Sequence, residues 1–191
     1  PYGACATCHG LGTMMVFDAD LVVPNPDLPL EEAIHPWRRG GRRLILYYKH
    51  LLRAVAEHFK VDLATPYGKL PKKFTQVLLH GSGEEELSLG FWRGGAFHKY
   101  KKPFEGVLPN LMRRYEQSDS EFVQEKLRDY MSRQPCTACA GARLKPASLA
   151  CTIQGRSILD VTRDSVKQAL LFFGGLALTA QEEQIVHEVI K

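Results

Sequence analysis

The chain has 191 residues, 45% of them hydrophobic and 24% charged, with a formal net charge of +4, enough for one medium-sized core or two small ones. No run approaches the roughly 18 apolar residues that a spanning helix needs, and the start, Pro1-Tyr2-Gly3-Ala4-Cys5, lacks the basic and apolar regions of an export signal. The expectation is a soluble, cytoplasmic protein with no membrane partner and, since it lacks an initiator methionine and opens almost directly on a cysteine pair, a piece of a longer one.

In chain order, Met14, Met15, Val16, Phe17, Leu21, Val22 and Val23 predict short strands broken at Asp18-Ala19-Asp20. Pro24, Pro26 and Pro29 then forbid a central strand. Leu44, Tyr48, Leu51, Leu52, Val55 and Phe59 recur at helical steps and predict a helix over 42–59, with Arg43, Lys49, Arg53 and Glu57 on its opposite face. A shorter helix is expected over 71–79, closed by Gly81-Ser82-Gly83. Residues 86–91 and 97–102 read as a hairpin turning at Gly94-Gly95. Helices follow over 107–115 and from a capping box at Ser118-Asp119-Ser120-Glu121 to Met131. Beyond Cys139 the pattern predicts a strand over 149–153 and helices over 162–173 and from Thr179 onward, where Glu182 completes a capping box.

Positive charge is uneven along the chain. No acidic residue lies between Glu32 and Glu57, while Arg38, Arg39, Arg42, Arg43, Lys49 and Arg53 all fall there. A second acid-free stretch carries Arg93, Lys99, Lys101 and Lys102. Trp37, Tyr47, Tyr48, Phe91, Trp92, Phe97 and Tyr100 are interleaved with these cations. Cations neutralise phosphates and exposed aromatics stack on bases, so a nucleic acid is one candidate partner. An ordinary solvated basic face over buried aromatics is the other reading.

Four of the five cysteines form two pairs, Cys5-Ala6-Thr7-Cys8-His9-Gly10 and Cys136-Thr137-Ala138-Cys139-Ala140-Gly141, both C-x-x-C-x-G. In a zinc knuckle, backbone N–H groups point at the thiolates and the glycine accepts a positive φ, so two knuckles would make a closed four-thiolate site. The wide separation of the pairs is an objection to a compact zinc ribbon. Loop closure costs only logarithmically with length, however, and an inserted segment that folds with adjacent ends behaves as a short loop. Cys5-Ala6-Thr7-Cys8-His9 also matches a c-type haem attachment site, and a redox dithiol or disulfide is a third use. In the zinc reading His9 faces solvent, and Cys151, in an apolar stretch, is expected to be a small buried hydrophobe.

Other chemistry has little support. No Gly-Lys-Ser or Gly-Lys-Thr occurs, Gly81-Ser82-Gly83 is followed by Glu84-Glu85-Glu86 and reads as a turn, and His35, His50, His58, His80 and His98 fall into no catalytic pattern.

The stretch Pro1-Tyr2-Gly3-Ala4-Cys5-Ala6-Thr7-Cys8-His9-Gly10-Leu11-Gly12 resembles the zinc-module segment of UvrA, the damage-recognition component of bacterial excinuclease ABC. Pro103-Phe104-Glu105-Gly106-Val107-Leu108-Pro109-Asn110-Leu111, Arg113-Arg114-Tyr115 and Pro135-Cys136-Thr137-Ala138-Cys139-Ala140-Gly141-Ala142-Arg143-Leu144-Lys145-Pro146 are similar to that family's sequence after its inserted domain. His9, where an acidic residue would be expected, departs from the pattern without touching a ligand.

The resemblance implies an α+β fold. An inserted basic domain of helices plus a small antiparallel sheet or hairpin (13–132) is bracketed by zinc knuckles at 1–12 and 133–146, and a partial α/β signature domain of an ABC-type ATPase occupies 147–191. It implies structural zinc on Cys5, Cys8, Cys136 and Cys139, and ATP bound only by other parts of the full-length protein, since neither a Walker A loop nor an L-S-G-G-E signature occurs here. The implied partners are damaged double-stranded DNA, the excinuclease component UvrB through the full-length protein, and a second protomer. Arg38, Arg39, Arg42, Arg43, Arg93, Lys99, Lys101 and Lys102 are the candidate phosphate contacts. The alternative is a protein-interaction module in which Trp37, Trp92 and Phe97 form a docking surface.

Overall fold

The structure, a computed structural model, describes residues 2–93 and 96–190, with the side chains of 89–93, 96–99 and 189–190 left undescribed. The chain divides into two compact units, residues 15–132 and residues 1–14 together with 133–191. Strands β1 (Thr13–Phe17) and β4 (Met131–Pro135) pair in a two-stranded sheet.

The central unit is organised on α3. After β1 come two single-turn helices, α1 (Ala19–Val22) and α2 (Leu30–Ala33), a 3-10 turn at His35–Arg38, and then α3 (Arg42–His58). The expected break at Asp18 is there, but a helical turn follows it in place of a second strand, because the Asp18 carboxylate accepts from the N–H of Asp20 and caps that turn. The apolar stripe of α3 buries Tyr48, Leu51, Leu52, Val55 and Ala56. Each large member contributes on the order of 2 kcal/mol by leaving water.

Helix α4 (Lys72–His80) follows, with Pro71 at its N-cap and Gly81 at its C-cap. The hairpin strands β2 (Glu86–Arg93) and β3 (Ala96–Pro103) pair antiparallel from Glu86 opposite Pro103 to Arg93 opposite Ala96. Both are longer than the alternation implied, and their expected turn, Gly94-Gly95, lies outside the described residues. Strand β2 packs on α3, α5 (Val107–Glu116) packs on α4, and α6 (Glu121–Arg128) packs on α5. Phe74, Leu30, Ile34, Leu78, Leu87 and Leu111 fill the shared core.

The capping box expected before α6 does not form. Ser120 occupies the N-cap without a side-chain bond, the Ser118 hydroxyl accepts from the Ser120 N–H, and the helix stops at Arg128 so that Met131 can enter β4.

The second unit holds both cysteine pairs and a helical segment. A short helix α7 (Pro146–Leu149) replaces the start of the expected strand and leaves the small ribbon β5 (Thr152–Ile153) and β6 (Arg156–Ser157). Cys151 is exposed, contrary to expectation, because its apolar neighbours belong to this turn and ribbon and not to a core strand. The helix expected over 162–173 is α9 (Val166–Gly174), and a further one, α8 (Ile158–Thr162), precedes it; each is opened by a reciprocal capping box, Ser165 with Gln168 and Ser157 with Asp160. The Thr179 and Glu182 pair expected before α10 (Ala180–Ile190) is present.

Candidate metal centre and nucleic-acid interface

The two knuckles have the same backbone. His9 and Gly10 have φ of +50° and +86°, and Ala140 and Gly141 have +47° and +86°. Two residues further on, Gly12 and Arg143 are again left-handed, at +77° and +67°. Each left-handed non-glycine residue is a local strain of about 1 kcal/mol or more, so the repeat of one strained sequence of conformations at both sites marks a constrained turn. In both, the residue after the glycine closes the turn: Leu11 N–H donates to Cys8 O at 2.9 Å and Ala142 N–H to Cys139 O at 2.8 Å. The knuckles also exchange bonds, with Cys5 N–H donating to Arg143 O and Cys136 N–H to Gly12 O, each at 2.9 Å. The sequence pattern pointed to the glycine alone; the left-handed residue before it and the matching pair Gly12 and Arg143 carry no residue-type signal.

This backbone turns all four sulfurs inward. The Sγ atoms of Cys5, Cys8, Cys136 and Cys139 lie within 4.8 Å of one another, and the first three residues are buried. Cys8 Sγ and Cys139 Sγ are 3.7 Å apart. That is far beyond a disulfide bond of about 2.05 Å, and it matches the edge of about 3.8 Å of a tetrahedron with metal–sulfur bonds of about 2.3 Å. Backbone donors favour the anionic form. The Cys8 N–H at its sulfur holds the Cys5 thiol down at about 7. Burial pushes the Cys8 thiol up, but the N–H groups of Gly12 and Gly10 outweigh it, and the Gly12 N–H lies 3.2 Å from Sγ. Burial pushes Cys139 up to about 11 against the N–H groups of Arg143 and Gly141. Soft donors, mutual distance and aimed N–H groups suit a four-thiolate metal site. His9, the residue a haem attachment would need, is exposed outside the sulfur cluster.

A profile of the UvrA DNA-binding domain matches residues 18–129, the segment enclosed between the cysteine pairs. The chain belongs to the UvrA DNA-binding domain family. Over its whole length it is 41% identical to UvrABC system protein A of Methanothermobacter thermautotrophicus, 40% to that of Bacillus subtilis and 38% to that of Haemophilus influenzae. It spans 20% of the length of each of these relatives. The crystal structure of UvrA2 from Deinococcus radiodurans shares its fold, with a TM-score of 0.66 over 91% of this chain and 22% of that one, at 22% sequence identity. The resemblance read from the motifs around the cysteines, and the mixed helical and small-sheet fold it implied, are both borne out.

Within this UvrA-type domain the candidate cations fall into separate settings. Arg39, Arg42, Arg43, Lys101 and Lys102 are exposed. Arg42 and Arg43 open α3, whose first turn contains no acidic residue. Arg38 is committed to Glu32, with Nη1 3.4 Å from its carboxylate and 3.3 Å from its carbonyl oxygen. The side chains of Arg93 and Lys99 lie outside the described residues, as do those of Trp92 and Phe97. Lys102 lines an open groove together with Tyr47, Tyr100 and Arg113.

One proposed docking aromatic is corrected. Trp37 is only 3% exposed and stacks on Tyr48 with ring centroids 4.6 Å apart and planes 7° from parallel. It belongs to the core, because the 3-10 turn that carries it packs directly on α3.

Proposed function

We propose that this chain is a zinc-stabilised DNA-binding insertion of a UvrA-type damage-sensing ATPase of nucleotide excision repair, contacting duplex DNA largely through its phosphates. The observation that carries the reading is the coincidence of the DNA-binding domain profile with the unit enclosed by the two cysteine knuckles. Cys5, Cys8, Cys136 and Cys139 would hold zinc. Four thiolates leave no open coordination position, so the ion would supply structural closure and no catalysis. The charge arrangement supports the DNA reading: Arg42 and Arg43 add positive charge to the positive end of α3, a local repulsion that a phosphate would relieve. Phosphate contacts position a protein without reading sequence, which suits a sensor that meets lesions anywhere. The deformability of damaged DNA would supply discrimination.

ATP binding, a second protomer and the excinuclease component UvrB would belong to the full-length protein in the cytoplasm. The apolar side chains of α9 support such a setting, since Val166, Leu170 and Leu171 are largely exposed.

The test is a salt titration of duplex binding. The Arg42→Ala, Arg43→Ala double variant is expected to bind more weakly, with the slope of log affinity against log salt reduced in magnitude by about 2. Unchanged affinity and slope would remove this patch from the interface.

A further inference from the structure

Outside the metal centre and the start of α3, the central unit contains a cavity of about 280 Å³ between the segment Pro36–Gly40 and helices α5 and α6. Arg39, Arg114 and Lys126 bring positive charge to its lining, against Asp129 as the acidic member. Arg114 has a particular need there: its Nη1 is buried and has no hydrogen-bond acceptor among the described residues, and its guanidinium faces the Tyr48 ring at 5.7 Å. That nitrogen is closed off from solvent, so an anion in the cavity would meet the rest of the guanidinium, in a charge-assisted bond. Arg39, Arg114 and Tyr130 share this lining.

The rest of the wall is apolar and holds Val123, Leu127 and Phe122. Phe122 is 68% exposed, with Lys126 Nζ 5.9 Å from its ring centroid. An exposed aromatic ring with a cation above it is what single-stranded nucleic-acid sites use to stack a base beside its phosphate. The volume, about 280 Å³, falls just below that of small-molecule sites, about 300 Å³ and upward, which excludes a duplex and leaves room for no more than one nucleotide.

We propose that this cavity receives a single unpaired nucleotide of the bound DNA, its phosphate held by Arg39, Arg114 and Lys126 and its base lodged against Phe122 and the aliphatic wall. This rests on the DNA-binding reading and adds a way for the domain to sense weakened pairing: a base that has lost its partner costs least to withdraw from the stack.

The experiment compares binding of the whole chain, by fluorescence anisotropy at fixed salt, to three DNAs: a paired duplex, the same duplex with one bulged nucleotide, and a duplex whose bulge is abasic. The bulged nucleotide is expected to improve affinity about fivefold or more, and the abasic bulge to recover only part of that gain. Phe122→Ala and Lys126→Ala, both at exposed helix positions, should bring the bulged-to-paired ratio towards one. Paired-duplex binding with a ratio of one in the unaltered chain would overturn the nucleotide site and leave the phosphate reading standing. An undiminished ratio in both variants would overturn it as well, and an abasic bulge bound as tightly as the intact one would reduce the cavity to a phosphate contact. Absence of binding to any of the three would overturn both readings.

Discussion

Glu105 accepts from Arg113 through two parallel bonds, Nε to Oε1 at 2.7 Å and Nη2 to Oε2 at 3.0 Å, and from the Asn110 side chain at 3.2 Å. Asn110 is buried and in turn accepts from the Tyr48 hydroxyl at 2.9 Å, which ties the turn before α5 to the middle of α3. The Arg113 guanidinium holds the Glu105 carboxyl below its usual range. A depressed carboxylate stabilises the fold above its unfolded value, about 4.3, and that contribution is lost as pH falls through the lower folded value. Glu105→Gln is therefore expected to lower the thermal midpoint at neutral pH, with the difference from the unaltered protein closing as the solution is acidified below about 4. A gap that stays constant with pH would show that Glu105 acts by shape and not by charge. None of this network was legible in the sequence, because its members come from two helices and a turn and are joined by geometry that residue types do not encode.

At the scale of elements, α3 was readable because its apolar residues follow a regular period over a long run, and the β2–β3 hairpin because a Gly-Gly pair separates two short runs. The short elements were not. The turn α1 depends on one aspartate cap, and α8 lies ahead of the stretch that reads as helical, opened by a serine whose capping partner lies three residues on. The start of α5 depends on a close backbone approach. Gly106 has φ +88°, and a Cβ there would collide with the backbone of Gly81 and His80 at the end of α4. Neither main chain can retreat without moving a helix, so Gly106→Ala is expected to destabilise the chain by roughly 2–4 kcal/mol in denaturant unfolding. A loss under about 0.5 kcal/mol would mean that the two helix ends separate freely.

For the whole molecule, the cysteine pairs were legible as one four-sulfur cluster from spacing and from the glycine they share, despite their distance in sequence. What spacing could not convey is their equivalence, with matching left-handed residues and hydrogen bonds exchanged between the knuckles. The two knuckles meet although the enclosed segment separates them in sequence, and we propose that a zinc ion there would act as a clasp, unlike a compact zinc ribbon. The cation candidates were less legible: their acid-free runs were evident, but Arg38 is paired with Glu32, while Arg114 and Lys126 lie outside those runs and emerge only where α5 and α6 meet the segment before α3.

The most direct test of this clasp is elemental analysis of the purified chain together with its Cys8→Ser and Cys136→Ser variants. Four thiolates around one ion predict about one zinc per chain in the unaltered protein and loss of that zinc in either variant, although the substitutions fall in different knuckles. Zinc below stoichiometry in the unaltered chain, a haem absorption band, or full retention of metal in one variant would contradict it.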